Sequence, residues 1–382
     1  MDDGVGPGAS PLGEVARLFL RLGATAFGGP AAHIAMMHDE VVTRRRWLDE
    51  QHFLDLFGAT NLIPGPSSTE MAIHIGFVRA RWRGLVVAGL CFMAPAITLV
   101  LVLAWAYVTY GHTPAAEILL YGIEPVVIAI VVQALVSLGR IALTQPAPAV
   151  LAGGVLVLYL LGLNELVLLF AGAALLIVVR RADRLRPRLW GSLPLALPVT
   201  ALSAAETDIE LHRIFLLFLK FGAVVYGSGY VLLAFLRTDL VERLRWLTDE
   251  QLIDAIAIGQ ITPGPVFTTA TFVGYLLGGI PAALLATLGI FLPSFVLVAV
   301  VNPLVPRLRS SPVTATFLDG VNAAALGLMA GVTLQLGRHS VVDVPTALML
   351  AGAAFALLRY KVNSAWVILA GAIAGALVSL FR

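Results

Sequence analysis

Apolar runs of helix-spanning length recur along this 382-residue chain. Examples are Gly84 to Tyr110, Ile118 to Ser137 and Ala282 to Val301. An α-helix needs about 20 apolar residues to cross the hydrocarbon core of a bilayer, whereas a β-barrel strand needs about 10 and alternates in polarity. Because 59% of the residues are hydrophobic and only 13% are charged, they cannot build a water-soluble surface. The sequence therefore predicts an all-α polytopic membrane protein.

Composition also excludes several function classes. The single cysteine, Cys91, rules out disulfides within the chain and thiolate metal clusters, and we expect no metal and no cofactor. The net charge of +2 says little by itself, because the arginines matter through their placement in loops, and we expect no nucleic-acid partner. No Walker-type phosphate loop suggests direct use of ATP. The acidic, Gly/Pro-rich start lacks the features of a cleaved signal, so we expect the mature protein to begin near residue 1.

The chain contains an internal repeat. Placing Phe19 on Phe218 keeps two segments in register as far as Pro66 on Pro265, at an offset of 199, and 15 of those 48 positions are identical. After one residue is lost, the match continues at an offset of 198. We predict a first repeat, a connecting loop and a second repeat at residues 12–180, 181–211 and 212–382.

Loop charges change sides between the two repeats. Three arginines at 79–83 precede a long helix, whereas the matching loop at 278–281 is uncharged. Conversely, the neutral loop at 111–114 matches a loop that carries Arg307. Because Lys and Arg gather on the cytoplasmic side of short loops, we predict that the second half is inverted. We expect about ten transmembrane helices, plus broken or re-entrant helices at two PGP tripeptides.

Three short motifs occur in the same order in both repeats. They are Phe27-Gly28-Gly29-Pro30, Arg46-Trp47-Leu48 and Pro64-Gly65-Pro66, then Tyr226-Gly227-Ser228-Gly229, Arg245-Trp246-Leu247 and Pro263-Gly264-Pro265. This duplicated set resembles the chromate ion transporter family in its long two-domain form, over nearly the whole chain. The resemblance implies chromate efflux from the bacterial cytoplasm across the inner membrane, chromate resistance, and sulfate as a structural mimic of the substrate.

Each PGP tripeptide is predicted to break its helix and to expose backbone groups, because proline lacks a donor and glycine permits unusual dihedral angles. The half-helix that follows would point amide donors and a partial positive charge at an anion. The predicted substrate-binding residues around the two breaks are Gly28, Gly29, Pro30, Asn61, Pro64, Gly65, Pro66, Ser67, Ser68, Gly227, Ser228, Gln260, Pro263, Gly264, Pro265 and Thr268. The alternative is a packing kink in which the hydroxyl groups cap their own helices.

Two cations occupy matched positions near the start of each repeat. Arg21 and Lys220 are predicted to neutralise a divalent anion together. Burying an ionisable residue in a membrane segment is costly, so its presence there indicates a function. The alternative is that both side chains extend to the lipid headgroups.

Acidic residues supply a candidate for proton coupling. Glu70 follows the first PGP tripeptide in an apolar helix, and its repeat mate is Thr269. It could carry a coupling proton if burial favours the neutral acid, or it could form a salt bridge with Arg21. Asp55 and Asp254 recur in both halves, and their short amphipathic helices are expected to turn them towards water.

The function predicted from the sequence is secondary transport that exports chromate, driven by the membrane potential, by proton antiport or by both. Sulfate uptake and an anion channel are the alternatives. We expect no enzyme activity, because the nearest nucleophile and base, Ser67 and His74, form a weak pairing. The expected partners are a chromate- or sulfate-like oxyanion and the lipid bilayer, and a homodimer is compatible with the sequence.

Overall fold

A computed structural model describes residues 10–26, 29–60, 62–111, 113–182, 210–226, 229–301, 312–360 and 362–380. The first half contains α1 Pro11–Thr25, α2 Gly29–His38, α3 Glu50–Thr60, α4 Ser67–Tyr110, α5 Pro114–Ala142, α6 Pro146–Leu160 and α7 Glu165–Ala182. The second half contains α8 Leu211–Val224, α9 Leu232–Leu236, α10 Asp249–Ile261, α11 Thr269–Val301, α12 Pro312–Ser340, α13 Val344–Tyr360 and α14 Ser364–Ser379. π-Helical segments at Asp39–Arg44 and Arg237–Arg243 follow α2 and α9.

The predicted all-α class is confirmed, since these described ranges contain no β-strand. Within them, four helical stretches are long and apolar enough to span a membrane, and three shorter apolar helices accompany them. The four stretches are Ser67–Tyr110, Pro114–Ala142, Val266–Val300 and Thr316–Ser340. Large apolar side chains such as Trp105, Leu288 and Leu369 are about half exposed on the outside of the bundle, as expected for a surface that faces lipid. The protein is therefore a polytopic membrane protein.

The helices α4 and α11 are each two arms joined by a sharp turn. Non-helical backbone occurs at Ala80 and Arg81 in α4, and at the matched residues Gly278 and Gly279 in α11. The short and long arms are residues 67–79 and 82–110 in α4, and 269–277 and 280–301 in α11. In α4 the arms approach so closely that a Cβ at Gly76 would overlap the carbonyl oxygen of the long arm. Each short arm therefore folds back on its long arm.

Aromatic packing holds the first helix of each half against the long arm that follows it. Phe19 of α1 meets Phe92 of α4 edge to face at 6.5 Å. A Cβ at Gly23 would overlap the carbonyl oxygen of Phe92, and the matched Gly222 of α8 lies equally close to the backbone of α11. Because glycine has no side chain, the backbones can approach to this distance. This packing places the C-terminal ends of α1 and α8 beside the PGP segments.

The matched helices α5 and α12 each pack against the last two helices of the opposite half. The helix α5 packs against α13 and α14, whereas α12 packs against α6 and α7. A Cβ at Gly122 would lie 2.7 Å from the amide of Gly375, and a Cβ at the matched Gly320 would lie 2.6 Å from Ala173. Along α5, Ile118 approaches Gly375 whereas Val126 approaches Gly371, so α5 and α14 run antiparallel.

The Arg-Trp-Leu motif ends the π-helical segment in each half. Arg46 and Arg245 both adopt positive φ angles, of 51° and 53°. The turn allows the amide of Trp47 to donate to the carbonyl of Val41 at 2.7 Å, and the matched bond in the second half is 2.8 Å long. The motif is thus a chain-reversal element that leads into α3 and α10.

Candidate functional site

Each PGP segment is hydrogen-bonded to the opposite half of the chain. The amide of Gly65 donates to the carbonyl of Val225 at 2.8 Å, and the amide of Gly264 donates to the carbonyl of Ala26 at 2.9 Å. Both pairs follow the repeat offset, and each acceptor directly precedes a Gly-rich motif. Both PGP segments are buried. The two helix breaks therefore meet at the interface between the halves.

These bonds correct one expectation from the sequence. The amides of Gly65 and Gly264 were expected to be open to an anion, but a carbonyl of the other half satisfies each of them. In the short arm of α4, the amides of Thr69 and Glu70 bond to the carbonyl of Pro66 at 2.8 Å and 3.0 Å. The first-turn amides of Thr69 and Glu70 are therefore satisfied within the arm itself.

The second PGP segment leads into a short 3₁₀ turn, Val266–Thr268, before the short arm of α11 begins. The hydroxyl of Thr268 donates to the carbonyl of Pro265 at 2.8 Å, and Thr269 donates to Val266 at 2.8 Å. The hydroxyl groups of this segment cap their own turn, as the packing alternative expects. The two PGP segments are therefore similar in backbone but different in side-chain chemistry.

Glu70 lies against the first PGP segment and is wholly buried. Its Oε1 accepts a hydrogen bond from the hydroxyl of Ser294 in the other half at 3.2 Å, and its Oε2 has no hydrogen-bond partner among the described residues. A Cβ at Gly65 would overlap both Glu70 Oε1 and Ser294 Oγ. The salt bridge to Arg21 that the sequence allowed does not form, because Arg21 pairs with Glu40 instead.

Arg21 and Lys220 each pair with a carboxylate at a matched position. Arg21 lies 2.5 Å from Glu40, and Lys220 lies 2.5 Å from Asp239. The arginine side chain is 49% exposed and the lysine side chain 26% exposed, so neither cation is buried. An anion that contacts either cation must therefore share it with an existing carboxylate partner.

The carboxylate of Glu40 is held by several cations on the π-helical segment that follows α2. Burial alone raises the pKa of Glu40, but hydrogen bonds from Arg45 and Arg21 outweigh it and hold the pKa below its usual range. Arg44 also lies within ion-pair distance, at 3.3 Å. Glu40 therefore remains ionised at neutral pH, and its charge is compensated locally.

Other predicted site residues lie nearby. Gln260 is buried, and its Oε1 accepts a hydrogen bond from Tyr230 at 3.0 Å, whereas its Nε2 has no partner among the described residues. Gly29, with a φ of 80°, and Pro30 begin α2 and are half-buried. The predicted residues Gly28, Asn61, Gly227 and Ser228 lie outside the described residues.

Sequence reasoning was wrong about Asp254 and did not select Ser294. Asp254 is 3% exposed and accepts a hydrogen bond from Tyr107 of the first half at 2.7 Å, whereas its mate Asp55 is half-exposed. Ser294 follows the second of two matched prolines, and its mate is Ala96. A serine in one repeat where the other repeat has an alanine is the sequence feature that could have identified Ser294. No local pattern in the sequence indicates that Tyr107 is the partner of Asp254.

Two cavities in the described part of the chain are apolar, and neither is lined by a PGP residue. One of about 610 Å³ lies between α6 and α7, and one of about 330 Å³ lies between α5, α13 and α14. Neither is lined by a charged residue. A small divalent anion would have no charged partner in either cavity.

Comparison with known proteins agrees with a polytopic transporter. The model of the chromate transporter family matches residues 13–178 and again 212–376. The chain is 34% identical to the chromate transport protein of Cupriavidus metallidurans over 370 residues, which cover 94% of this chain and 91% of that protein. It is 33% identical to the chromate transport protein of Pseudomonas aeruginosa over 387 residues, with 94% and 91% covered. A probable chromate transport protein of Synechococcus elongatus is 33% identical over 352 residues, with 89% and 88% covered.

No solved structure is significantly similar to the chain. The family matches cover most of both halves, and the three relatives align over nearly their whole lengths. The chain belongs to the chromate transporter family. The resemblance inferred from the duplicated motifs is confirmed.

Proposed function

We propose that this protein is a secondary transporter that exports chromate across the inner membrane of a bacterium and thereby confers chromate resistance. Two repeats at 12–180 and 212–382, joined by the segment 181–211, form the carrier. The observation that carries the proposal is the pair of hydrogen bonds through which Gly65 and Gly264 join each PGP segment to the opposite half. Helix breaks at such an interface are where secondary transporters hold a substrate near the bilayer midplane.

The direction of the helix contacts supports an inverted second half. The helices α5, α6 and α7 follow one another across the bilayer, so α5 and α7 point the same way. The helix α14 is the repeat mate of α7, and it would run parallel to α5 if both halves had the same orientation. It runs antiparallel to α5 instead, as the contacts of Gly371 and Gly375 indicate. This geometry favours the inverted duplication that the loop charges predict.

The proposed anion site lies at the start of the short arm of α4. Ser67 and Ser68 supply hydroxyl groups and first-turn amides there, and both residues are buried. A helix N-terminus carries a partial positive charge that favours an oxyanion. In the second half, Gln260 and the short arm of α11 would contribute, although Thr268 already bonds to its own turn.

Arg21 and Lys220 are proposed to neutralise part of the charge of the anion. Arg21 lies four residues before Thr25, the last residue of α1, a rise of about 6 Å along the axis, and Ala26 follows as the C-cap. Both cations are partly exposed, so an anion can approach them while they keep their carboxylate partners. Arginine can bind two oxygens of a tetrahedral oxyanion at once, whereas lysine acts as a compact charge.

The membrane potential alone can drive export. A divalent anion that leaves a negative cytoplasm gains about 2.3 kcal/mol per charge for each 100 mV of potential. Proton antiport would add a second driving force. The contributions of the membrane potential and of a pH gradient to the transport rate are distinguished by imposing each of them independently.

The test is uptake of labelled chromate and sulfate into inverted vesicles that contain the protein. An imposed potential, positive inside the vesicle, should accelerate saturable chromate uptake over vesicles without the protein. A faster uptake of sulfate than of chromate at equal concentration would assign the carrier to sulfate. Uptake that does not saturate would indicate a channel, and uptake equal to that of control vesicles would remove the proposal.

A further inference from the structure

The carboxyl group of Glu70 lies inside the proposed anion site. Its Oε1 is close enough to Gly65 that a single added methyl group would overlap it, and Oε2 is buried without a hydrogen-bond partner among the described residues. The residue belongs to the first turn of the short arm, where amides and hydroxyl groups would meet the oxyanion. The carboxyl group and a bound anion would therefore lie close together.

The two half-sites differ at this position. Where the first half has Glu70, the second half has Thr269, whose hydroxyl bonds to Val266. The residue that donates to Glu70 is Ser294, and its repeat mate is Ala96. The acid and its donor thus occur together in one half-site and are both replaced in the other. A purely structural pair at a helix break would be expected at both breaks.

The surroundings of Glu70 contain no compensating cation. No lysine or arginine among the described residues lies within ion-pair distance of it. The phenol of Tyr226, at the end of α8, lies close enough to Glu70 to interact with it electrostatically, and the buried His74 lies one turn further along the same arm. The helix α11 contributes only the neutral hydroxyl of Ser294. A buried carboxylate without a cation is costly, so the neutral acid is the form that this site accepts most easily.

Protonation decides whether a dianion can share the site. An ionised Glu70 would repel the anion at close range in a medium of low dielectric constant. A protonated Glu70 carries no charge, and its O–H group can donate a hydrogen bond to an oxyanion oxygen.

The geometry points to Glu70 as a proton site that is obligatory for substrate binding: the first PGP segment holds an oxyanion only while this carboxyl group carries a proton. This inference rests on the proposed anion site. The proton enters from the same solution as the anion, remains on Glu70 while the anion is bound, and leaves with it. One proton and one anion therefore bind together, which is the linkage of a cotransporter. This linkage replaces proton antiport and leaves the membrane potential as the driving force for export, because the dianion with one proton still carries a net negative charge.

The full-length protein in proteoliposomes tests this linkage. Half-saturation for chromate and for sulfate is measured between pH 5.5 and 8.5, about three pH units, with equal pH on both sides and a fixed potential. Sulfate serves as a second probe because it stays a dianion over this range, whereas chromate itself takes up protons. For wild type, half-saturation should rise about tenfold per pH unit above the midpoint of the profile. Glu70→Gln should abolish this slope and keep the low-pH affinity. Glu117→Gln, which changes an exposed carboxylate of α5, should behave as wild type.

A second variant covers the case in which Glu70→Gln inserts poorly. Ser294→Ala removes the donor to Glu70 and installs the residue that the repeat already uses at the matched position. Because that donor stabilises the carboxylate, its loss should move the midpoint to higher pH by about one unit. An unchanged midpoint in Ser294→Ala, or a wild-type slope in Glu70→Gln, would overturn the inference while chromate transport stands. Absence of flux above protein-free vesicles at every pH would instead remove the proposed function.

Discussion

Gly65 and Val225 come from opposite halves of the chain, and the amide of Gly65 donates a 2.8 Å hydrogen bond to the carbonyl of Val225. The mates of these residues, Gly264 and Ala26, form the same bond at 2.9 Å. Each helix break is therefore held by the end of the first helix of the other half. If one half moves as a rigid body against the other, both hydrogen bonds must break or be strained. These two bonds are therefore expected to affect the movement between the inward-open and outward-open states.

The first prediction concerns the backbone of the PGP segment. Gly65 has a φ of 133°, and a Cβ there would overlap Glu70 and Ser294. Gly65→Ala should therefore reduce chromate transport at least tenfold, since a strained backbone costs about 1–3 kcal/mol before any overlap is counted. Gly162→Ala is the matched control, because Gly162 has a φ of 88° but open space around its Cβ position. Equal transport rates in the two variants, measured at equal protein amounts, would reduce the PGP segment to a tolerant turn.

The second prediction separates a substrate contact from a structural ion pair at Arg21. Arg21→Gln should raise the half-saturation for chromate about 10- to 100-fold, the loss expected for one charge-assisted hydrogen bond. Lys220→Gln should have a smaller effect, and Arg21→Lys should restore part of the affinity. Glu40→Gln removes the partner of Arg21 and should lower half-saturation, since the cation is then free for the anion. If all four variants keep the wild-type half-saturation, the pair with Glu40 is structural only.

The third prediction tests the orientation of the halves. Arg81 and Gly279 are repeat mates at the sharp turns of α4 and α11, so inversion places them on opposite sides of the membrane. In a protein whose Cys91 is replaced by alanine, Arg81→Cys should react with an impermeant thiol reagent from the cytoplasm, and Gly279→Cys from outside. Gly111→Cys should also react from outside, and a cysteine at Arg307 from the cytoplasm. Labelling of Arg81→Cys and Gly279→Cys from the same side would contradict the inverted arrangement.

The fourth prediction concerns the packing of α5 against the last helix of the other half. Gly122→Ala places a methyl group against the backbone of α14, so it should lower the free energy of unfolding by about 1–3 kcal/mol. Gly153→Ala, in α6, meets no atom within 4 Å and should be neutral or stabilising by up to about 1 kcal/mol. Unfolding of both variants in detergent gives the comparison. An equal or higher stability of Gly122→Ala would show that α5 and α14 can move apart without cost.

The sequence alone determined the class of the protein and its internal symmetry. Long apolar runs require helices in a bilayer, because a helix satisfies its own backbone hydrogen bonds where no water is available. This requirement holds for any tertiary arrangement of the helices. The duplicated motifs were visible because a repeat preserves spacing. For the same reason, the matched cations Arg21 and Lys220 and the unmatched acid Glu70 stand out when the two repeats are aligned.

Only the tertiary structure decided which of these residues meet. The pairing of Arg21 with Glu40, the burial of Asp254 against Tyr107 and the contact of Glu70 with Ser294 depend on how the helices pack, and the last two join residues 147 and 224 positions apart. Local patterns carry no information about such contacts, because the chain between them can follow many paths of similar local energy. The amides of Gly65 and Gly264 are the clearest example of contacts that the sequence does not determine. The sequence indicated that their helices must break there, but the crossing of the halves determined that each amide would bond to a carbonyl of the other half.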